Sequence, residues 1–364
     1  MSLTQVQSGM LQTTAQYYGF KNRVMNGQMQ IDQRYSGAVQ SPAPSGYSAD
    51  RWALYKSGSG TWSYQLSSTA PAGFSSSMLL TVTATETPSS GDYFIIQQPI
   101  EGFTTADFNW GTANAQTVTV SAWVYSSVTG TFSGAIRNSA TTLSYAFSYS
   151  IPVANTWTQI SATIPGPTTG TWVGGTNGVG LYLDFCLSAG SSNLTAAGSW
   201  TSGSYIGATG QTAWVSTSGA TFYATGIQIE KGTQATSFDY RPYGTELQLC
   251  QRYCQAINNS SSAYGTVGYA VAFSTNYGII NIPLVVSMRI PPNSLTLSSN
   301  SHFMLTNYNT SVAWSSFTLS SSNTTTVNAE IEGTVVSSSL TANYPYVARG
   351  NNSTSGLLIL SAEL

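Results

Sequence analysis

The chain carries very little charge: 7% of its 364 residues are Asp, Glu, Lys or Arg, against roughly 25% in an ordinary globular protein. The net charge is −2. Without clustered Lys and Arg there is no footprint for a nucleic-acid backbone, so no nucleic-acid partner is expected. Long apolar runs are missing as well. The longest are short stretches such as IINIPLVV (279–286), well under the ~20 residues that a bilayer-spanning helix needs, and membrane insertion is not expected. There is a single histidine, His302. It gives serine–histidine chemistry one possible base, in a Ser/Asn-rich stretch without a nucleophile-elbow motif.

Cysteine is scarce too: Cys186, Cys250 and Cys254. An odd number of thiols makes a disulfide framework unexpected. The start, MSLTQVQSGM, lacks a basic end followed by an apolar stretch. No secretory signal is read there, and folding in a cytosol is expected. Cys250 and Cys254, four apart, would need more sulfur or imidazole ligands to hold a metal, and only Cys186 and His302 remain. No metal site is predicted.

Apolar residues make up 41% of the chain, which excludes disorder of the highly charged, weakly hydrophobic kind. The patterning is β almost throughout. In QTVTVSAWVYSS (116–127), Val118, Val120, Ala122 and Val124 alternate with Thr117, Thr119, Ser121 and Trp123, the mark of a strand with one buried face. SYAFSYSI (144–151), WTQISATI (157–164), GVGLYLDFCL (178–187) and TFYATGIQIE (221–230) repeat it, with Gly/Pro/Asn turns between them. Many short strands with such turns predict an all-β protein of the sandwich or jelly-roll kind.

One stretch differs. In FDYRPYGTELQLCQRYCQAINN (238–259), Asp239, Arg241, Glu246 and Arg252 fall close together. Thr245 and Gln248 form a capping-box pattern. Leu247, Cys250, Cys254 and Ile257 follow at spacings of three, four and three, with Tyr253 widening the stripe, which predicts a helix ending near Asn258-Asn259. The expected order is a lead-in over 1–22, a jelly-roll sandwich over 23–233, a linker with a short helix over 234–259, and a second β-sandwich over 260–364. The stripe could pack on its own domain or against symmetry mates.

Nine Trp and 22 Tyr stand out in so uncharged a chain. Most must serve core and interface packing. Trp172, Trp200 and Trp214 sit in Gly/Ser-rich segments where a core position is less forced, and these are the predicted sugar-contacting residues. A glycosidase would need paired carboxylates. The acids are scattered, and candidates such as Glu101 and Asp107 cannot be paired from sequence.

Four blocks resemble a family of bacteriophage and prophage tail-fibre or appendage proteins: GFKNRVMNGQMQIDQRYSG (19–37) with YSADRW (47–52), IEKGTQATSFDYRPYGTELQLCQRYCQ (229–255), VSMRIPPNSLTL (286–297) and the terminal LLILSAEL. They fall in order across nearly the whole chain. The first domain is also similar to carbohydrate-binding jelly rolls, which open with a strand like NRVMNGQMQ and close with one like TFYATGIQIE. Many of those carry acids in the closing strand that help hold calcium. Ala224-Thr225-Gly226 has none, so neither calcium nor any other cofactor is indicated. Cys254 departs from the aromatic residue common after CQRY, and no catalytic residue carries over. The resemblance implies a non-enzymatic virion protein, assembled in the host cytoplasm as a homotrimer with other virion proteins and adhering to a host surface polysaccharide. A particle-stabilising decoration protein and a polysaccharide depolymerase are the alternatives.

Overall fold

The computed structural model describes residues 20–258 and 262–364. Apart from its last three residues, the expected lead-in over 1–22 lies outside the described residues. The protein is all-β, and the chain divides into two compact units. The first contains Trp52–Arg241 together with Gly37–Tyr47 and the stretch ending at Gln30. The second contains Pro242–Leu364 together with Ile31–Ser36 and Ser48–Arg51.

The first unit runs β1 (Gly46–Tyr47), β2 (Ala53–Ser57), β3 (Thr61–Ser67), β4 (Ser77–Ala84) and β5 (Tyr93–Glu101). A single helical turn, α1 (Gly102–Thr105), precedes β6 (Val118–Ser126), β7 (Gly130–Asn138), β8 (Leu143–Ile151) and β9 (Thr158–Ile164). Then come β10 (Val179–Ala189), β11 (Leu194–Thr195), β12 (Trp200–Ser202), β13 (Gly207–Ala208) and β14 (Thr221–Lys231). They form a seven-stranded sheet, β1-β2-β5-β10-β7-β8-β12, and a five-stranded sheet, β3-β4-β14-β6-β9. Aromatic side chains join the two layers: Trp62 of β3 meets Phe94 of β5 edge-on at 5.6 Å, and Phe132 of β7 lies 5.7 Å from Phe222 of β14. This is the predicted two-sheet sandwich.

On β6 the alternation holds, with Val118, Val120, Ala122 and Val124 essentially inaccessible. Thr119 and Ser121 on the other face are buried as well. Thr119 bonds the Gly232 carbonyl, so the chain after β14 covers part of that face. β14 itself carries a bulge between Thr225 and Gln228. There Gly226 takes φ +59°, and a Cβ would come within 2.6 Å of the Phe74 ring. Only glycine combines that backbone with that approach.

The second unit opens with α2 (Tyr243–Gln251), followed by β15 (Cys254–Asn258), β16 (Thr266–Ala272) and β17 (Tyr277–Pro283). Next are β18 (Ser294–Leu297), β19 (Phe303–Thr306), β20 (Ser311–Ala313) and β21 (Thr318–Leu319). β22 (Asn328–Thr334), β23 (Pro345–Gly350) and β24 (Leu357–Ser361) complete it. A three-stranded sheet, β15-β24-β18, and a seven-stranded sheet, β20-β19-β23-β16-β17-β22-β21, enclose a core that includes Ile280, Leu305, Trp314, Ile331 and Leu358. Gln33 donates to the Cys254 carbonyl at 2.8 Å. Glu363 takes ion pairs from Arg34 at 2.9 Å and from Arg51.

The helix is shorter than its stripe suggests. Its N-cap is Pro242 and no side chain caps it, so Thr245 and Gln248 lie inside α2 instead of boxing its start. It closes at Gln251, and Cys254–Asn258 pair antiparallel with β24. Leu247 and Cys250 are therefore helical, while Cys254 and Ile257 belong to a strand. Strand pairing wins because β24 offers a full row of backbone partners, which continued helical winding would leave unused. Cys250, Tyr253 and Cys254 are inaccessible, and the Arg51 guanidinium lies 3.6 Å over the Tyr253 ring. Those three belong to this unit's interior, while Leu247 and Ile257 are half-buried.

All three thiols are free and buried. Burial pushes Cys186 up to about 12 and holds Cys250 and Cys254 well above the ordinary thiol range. Thiolate is the reactive form. Iodoacetamide at mildly alkaline pH should therefore label none of them in the native protein and all of them after unfolding in guanidinium, read by intact mass. Native labelling would show that these interiors open.

Candidate functional site

The outward face of the seven-stranded sheet of the first unit carries a candidate site. Register places Tyr55 of β2 opposite Ile95 of β5, and Gln97 of β5 opposite Asp184 of β10. It also sets Asp184 opposite Ala135, and Tyr182 opposite Arg137, on β7. Because side chains alternate across a strand, Tyr55, Tyr93, Ile95, Gln97, Asp184 and Arg137 all project to one side. Phe94, Ile96, Leu183 and Phe185 point into the sandwich core, where they are fully buried.

At the centre lies an ion pair. Asp184 is inaccessible. Its carboxylate accepts from Arg137 Nε at 2.6 Å, from Arg137 Nη2 at 3.3 Å and from Gln97 Nε2 at 2.7 Å. Burial opposes the Arg137 charge and Asp184 favours it; the balance raises its pKa, so the guanidinium stays charged. Arg137 Nη1 donates to Ser204 at 3.1 Å, and the guanidinium lies 5.3 Å from the Tyr182 ring centre.

The segment from the single turn Ser191–Asn193 to Gln211, which adds β12 at the sheet's edge, otherwise lies across this face. Ser144 of β8 donates to the Gly203 carbonyl at 2.6 Å and accepts from Tyr205 N–H at 2.9 Å. Ser133 of β7 accepts from Ala208 N–H at 2.9 Å, and Gln211 Nε2 reaches Cys186 Sγ at 3.1 Å. Gly207 sits so close that a Cβ would stand 2.6 Å from Ser133 Oγ and 2.9 Å from Cys186 Cβ. The covering segment thus rests directly on β8, β7 and β10. Asn193 anchors its near end, donating to the carbonyls of Gly91 at 2.9 Å and Asp92 at 3.1 Å.

Between this segment and the uncovered strands is a cavity of about 240 Å³, lined by Tyr55, Tyr93, Ile95, Gln97, Arg137, Asn193, Ser204 and Ile206. Ile95, Cys186 and Ile206 form an apolar floor against which Tyr55 and Tyr93 pack. The rim supplies hydroxyls, amides and one guanidinium already neutralised by its partner. An apolar floor with a few convergent polar groups is the usual build of a small-molecule site.

The three predicted tryptophans are elsewhere. Trp214 is inaccessible and packs 5.9 Å from Trp62; it is core and cannot touch a ligand. Trp172 and Trp200 do come together, 5.5 Å apart and joined by Trp110, each pair near-perpendicular. Their indole N–H groups bond the carbonyls of Thr169 and Pro165. Edge-to-face packing leaves each ring partly covered by the next, and the adjoining cavity is only about 50 Å³, room for one or two waters at ~30 Å³ each. The cluster ties loops together.

Glu101 is buried at the end of β5, and Asp107 is held by Arg23 at 2.8 Å and Lys231 at 2.7 Å. His302 Nδ1 lies 2.9 Å from Ser298 Oγ, but that hydroxyl also accepts from Leu357 N–H at 3.0 Å, which makes it a turn contact. Among the described residues no three of His, Cys, Asp and Glu converge to hold a metal ion.

Sequence reasoning passed over the pocket residues. A signal was present: Asp184 interrupts LYLDFCL and Arg137 interrupts GAIRN. Opposite charges set singly in apolar strands are the mark of a buried pair.

No family model matches the chain, and no curated protein matches it. Among solved structures it is similar to the enzymatically active domain of tailspike protein 4 of bacteriophage CBA120. The identity is 14% and the TM-score 0.31, over 58% of this chain and 22% of that one. It is also similar to the family 11 carbohydrate-binding module of Clostridium thermocellum in complex with a β-1,3-1,4-mixed-linked tetrasaccharide, at 9% identity and TM-score 0.28, over 53% of this chain and 96% of that one. A family 61 carbohydrate-binding module in complex with β-1,4-galactotriose matches at 8% identity and TM-score 0.29, over 58% and 99%. This chain spans less than a quarter of the tailspike's length.

The ion pair makes a prediction of its own. Asp184→Ala leaves the Arg137 guanidinium buried without its counter-charge and should cost about 3–5 kcal/mol in guanidinium unfolding, whereas Asp184→Leu with Arg137→Met should recover most of that loss. Equal losses in the two variants would show that the pair's stabilisation comes from more than mutual neutralisation.

Proposed function

We propose that this chain is a glycan-binding protein of a bacteriophage particle, a tail-fibre or receptor-binding component that adheres to the host surface and breaks no bond. The pocket on the sheet face carries the binding part of this reading. Tyrosine rings over an apolar floor suit the C–H faces of a sugar ring. The Gln97, Asn193 and Ser204 side chains suit its hydroxyls, which need uncharged donors and acceptors. No carboxylate is among the pocket's lining residues; Asp184, inaccessible behind Arg137 and Gln97, is engaged by both, so it is poorly placed to act as a general acid or nucleophile, and hydrolysis calls for two.

The phage part rests on the four sequence blocks and on a composition suited to life outside a cell, with few charges and few sites for trypsin-like proteases. Assembly as a homotrimer with other virion proteins belongs to the same reading and rests on that resemblance, since Cys250, Tyr253 and Cys254 of the stripe are buried within one chain. A decoration protein is favoured by one observation: Tyr269, Val271 and Phe273, at alternate positions along and just beyond β16, are 70%, 43% and 56% exposed. Such a row could pack against a neighbouring subunit. Immunogold labelling of particles with antibody to residues 260–364 separates the two, with tail label expected for adhesion and head label for decoration.

Binding is tested on an array of bacterial surface glycans. Tyr93→Ala and Gln97→Ala should each lose about tenfold or more in affinity, equivalent to roughly 1.4 kcal/mol. Phe103→Ala, 60% exposed on α1, should bind like the parent. Unchanged binding by both pocket variants would move the site elsewhere.

A further inference from the structure

The pocket is walled, and the wall sets what it can hold. The covering segment rests on β8 through Ser144, on β7 through Ser133 and on β10 through Cys186. Beside that wall the pocket opens at the half-buried Tyr55 of β2 and Tyr93 of β5. A polysaccharide laid along this sheet would run into Ser204 and Ile206 after entering. The space left, about 240 Å³, is about eight water volumes at ~30 Å³ each, and lies below the roughly 300–1,000 Å³ of ordinary ligand pockets. Against that wall there is room for one sugar ring.

The charge of the pocket is closed as well. Its one guanidinium is engaged by the carboxylate of Asp184 through two nitrogens and by Ser204 through the third. A ligand carboxylate would meet a cation already matched, with a second carboxylate beside it and little water to screen the two.

We propose that the pocket takes the single, uncharged sugar at the end of a glycan chain, and that it discriminates against uronate and other acidic end units. The proposal rests on the glycan-binding reading above and sharpens it. An end-unit site counts chain ends, whereas a groove counts internal units. The two respond oppositely when a polymer is cut.

The experiment uses the full chain on immobilised bacterial polysaccharides, neutral and uronate-containing, each intact and after partial acid hydrolysis to shorter mean length. With an end-unit site, each halving of mean chain length doubles the protein bound per gram at saturation. Reducing the carboxyl groups of an acidic polysaccharide to alcohols should increase binding, and Tyr93→Ala should weaken it about tenfold or more in every case. Bound protein that stays constant or falls as chains shorten overturns the end-unit assignment while leaving glycan binding intact. Preference for uronate-ended fragments overturns the neutral assignment in the same way. Affinity unchanged by Tyr93→Ala places the site outside this pocket. If no polysaccharide retains the protein, the glycan reading itself fails, and this inference with it.

Discussion

Scarcity of charge is the constraint from which the rest follows. With charged residues at 7% of the chain, cohesion comes from strand pairing, apolar cores and hydrogen bonds among hydroxyls and amides. Several of the few ions go inside. Arg137 and Asp184 meet on the sheet face of the first unit, and Arg34, Arg51 and Glu363 meet in the second. A buried ion pair adds little stability over an apolar pair of the same volume, but removing one partner is costly. What such pairs add is position. Asp184 fixes where the Arg137 guanidinium lies, and Gln97 and Ser204 are placed by bonding to that pair.

On the proposed function, the same scarcity would also shape recognition. A neutral pocket gains little long-range electrostatic steering and is little affected by salt, which suits contact with a surface in varied surroundings. A cavity for one ring gives a weak single contact. Several copies engaging one surface convert weak contacts into firm attachment, because the second event is intramolecular. Adhesion by an appendage present in several copies therefore asks no more of each pocket than this one can give.

How far the sequence foretold all this depends on the range of the contact involved. The β6 alternation of Val118, Val120, Ala122 and Val124 reads directly into the core, because side-chain direction along a strand is a local property. The three-four-three spacing from Leu247 to Ile257 misled for a related reason. Cys254–Asn258 is equally compatible with a strand, and its partner β24 lies about a hundred residues away in the chain. The stretches 31–36 and 48–51 count with the second unit, far from it in sequence. Nothing local marks them, because the bonds responsible, such as Gln33 to the Cys254 carbonyl, span over two hundred residues.

The tryptophans show why composition is a poor guide to a site. A Gly/Ser-rich neighbourhood made Trp214 look free, yet glycine and serine are small, and small neighbours let a large ring sink into a core. Trp214 is inaccessible for that reason, and Trp172 and Trp200 use their faces on one another and on Trp110. The residues that line the pocket come from β2, β5, β7 and the covering segment, and they become a site only when register sets Gln97 beside Asp184 and Asp184 beside β7. Their chemistry was written in the sequence one residue at a time. Their convergence is a property of strand order, and strand order is fixed by which apolar faces must be buried together.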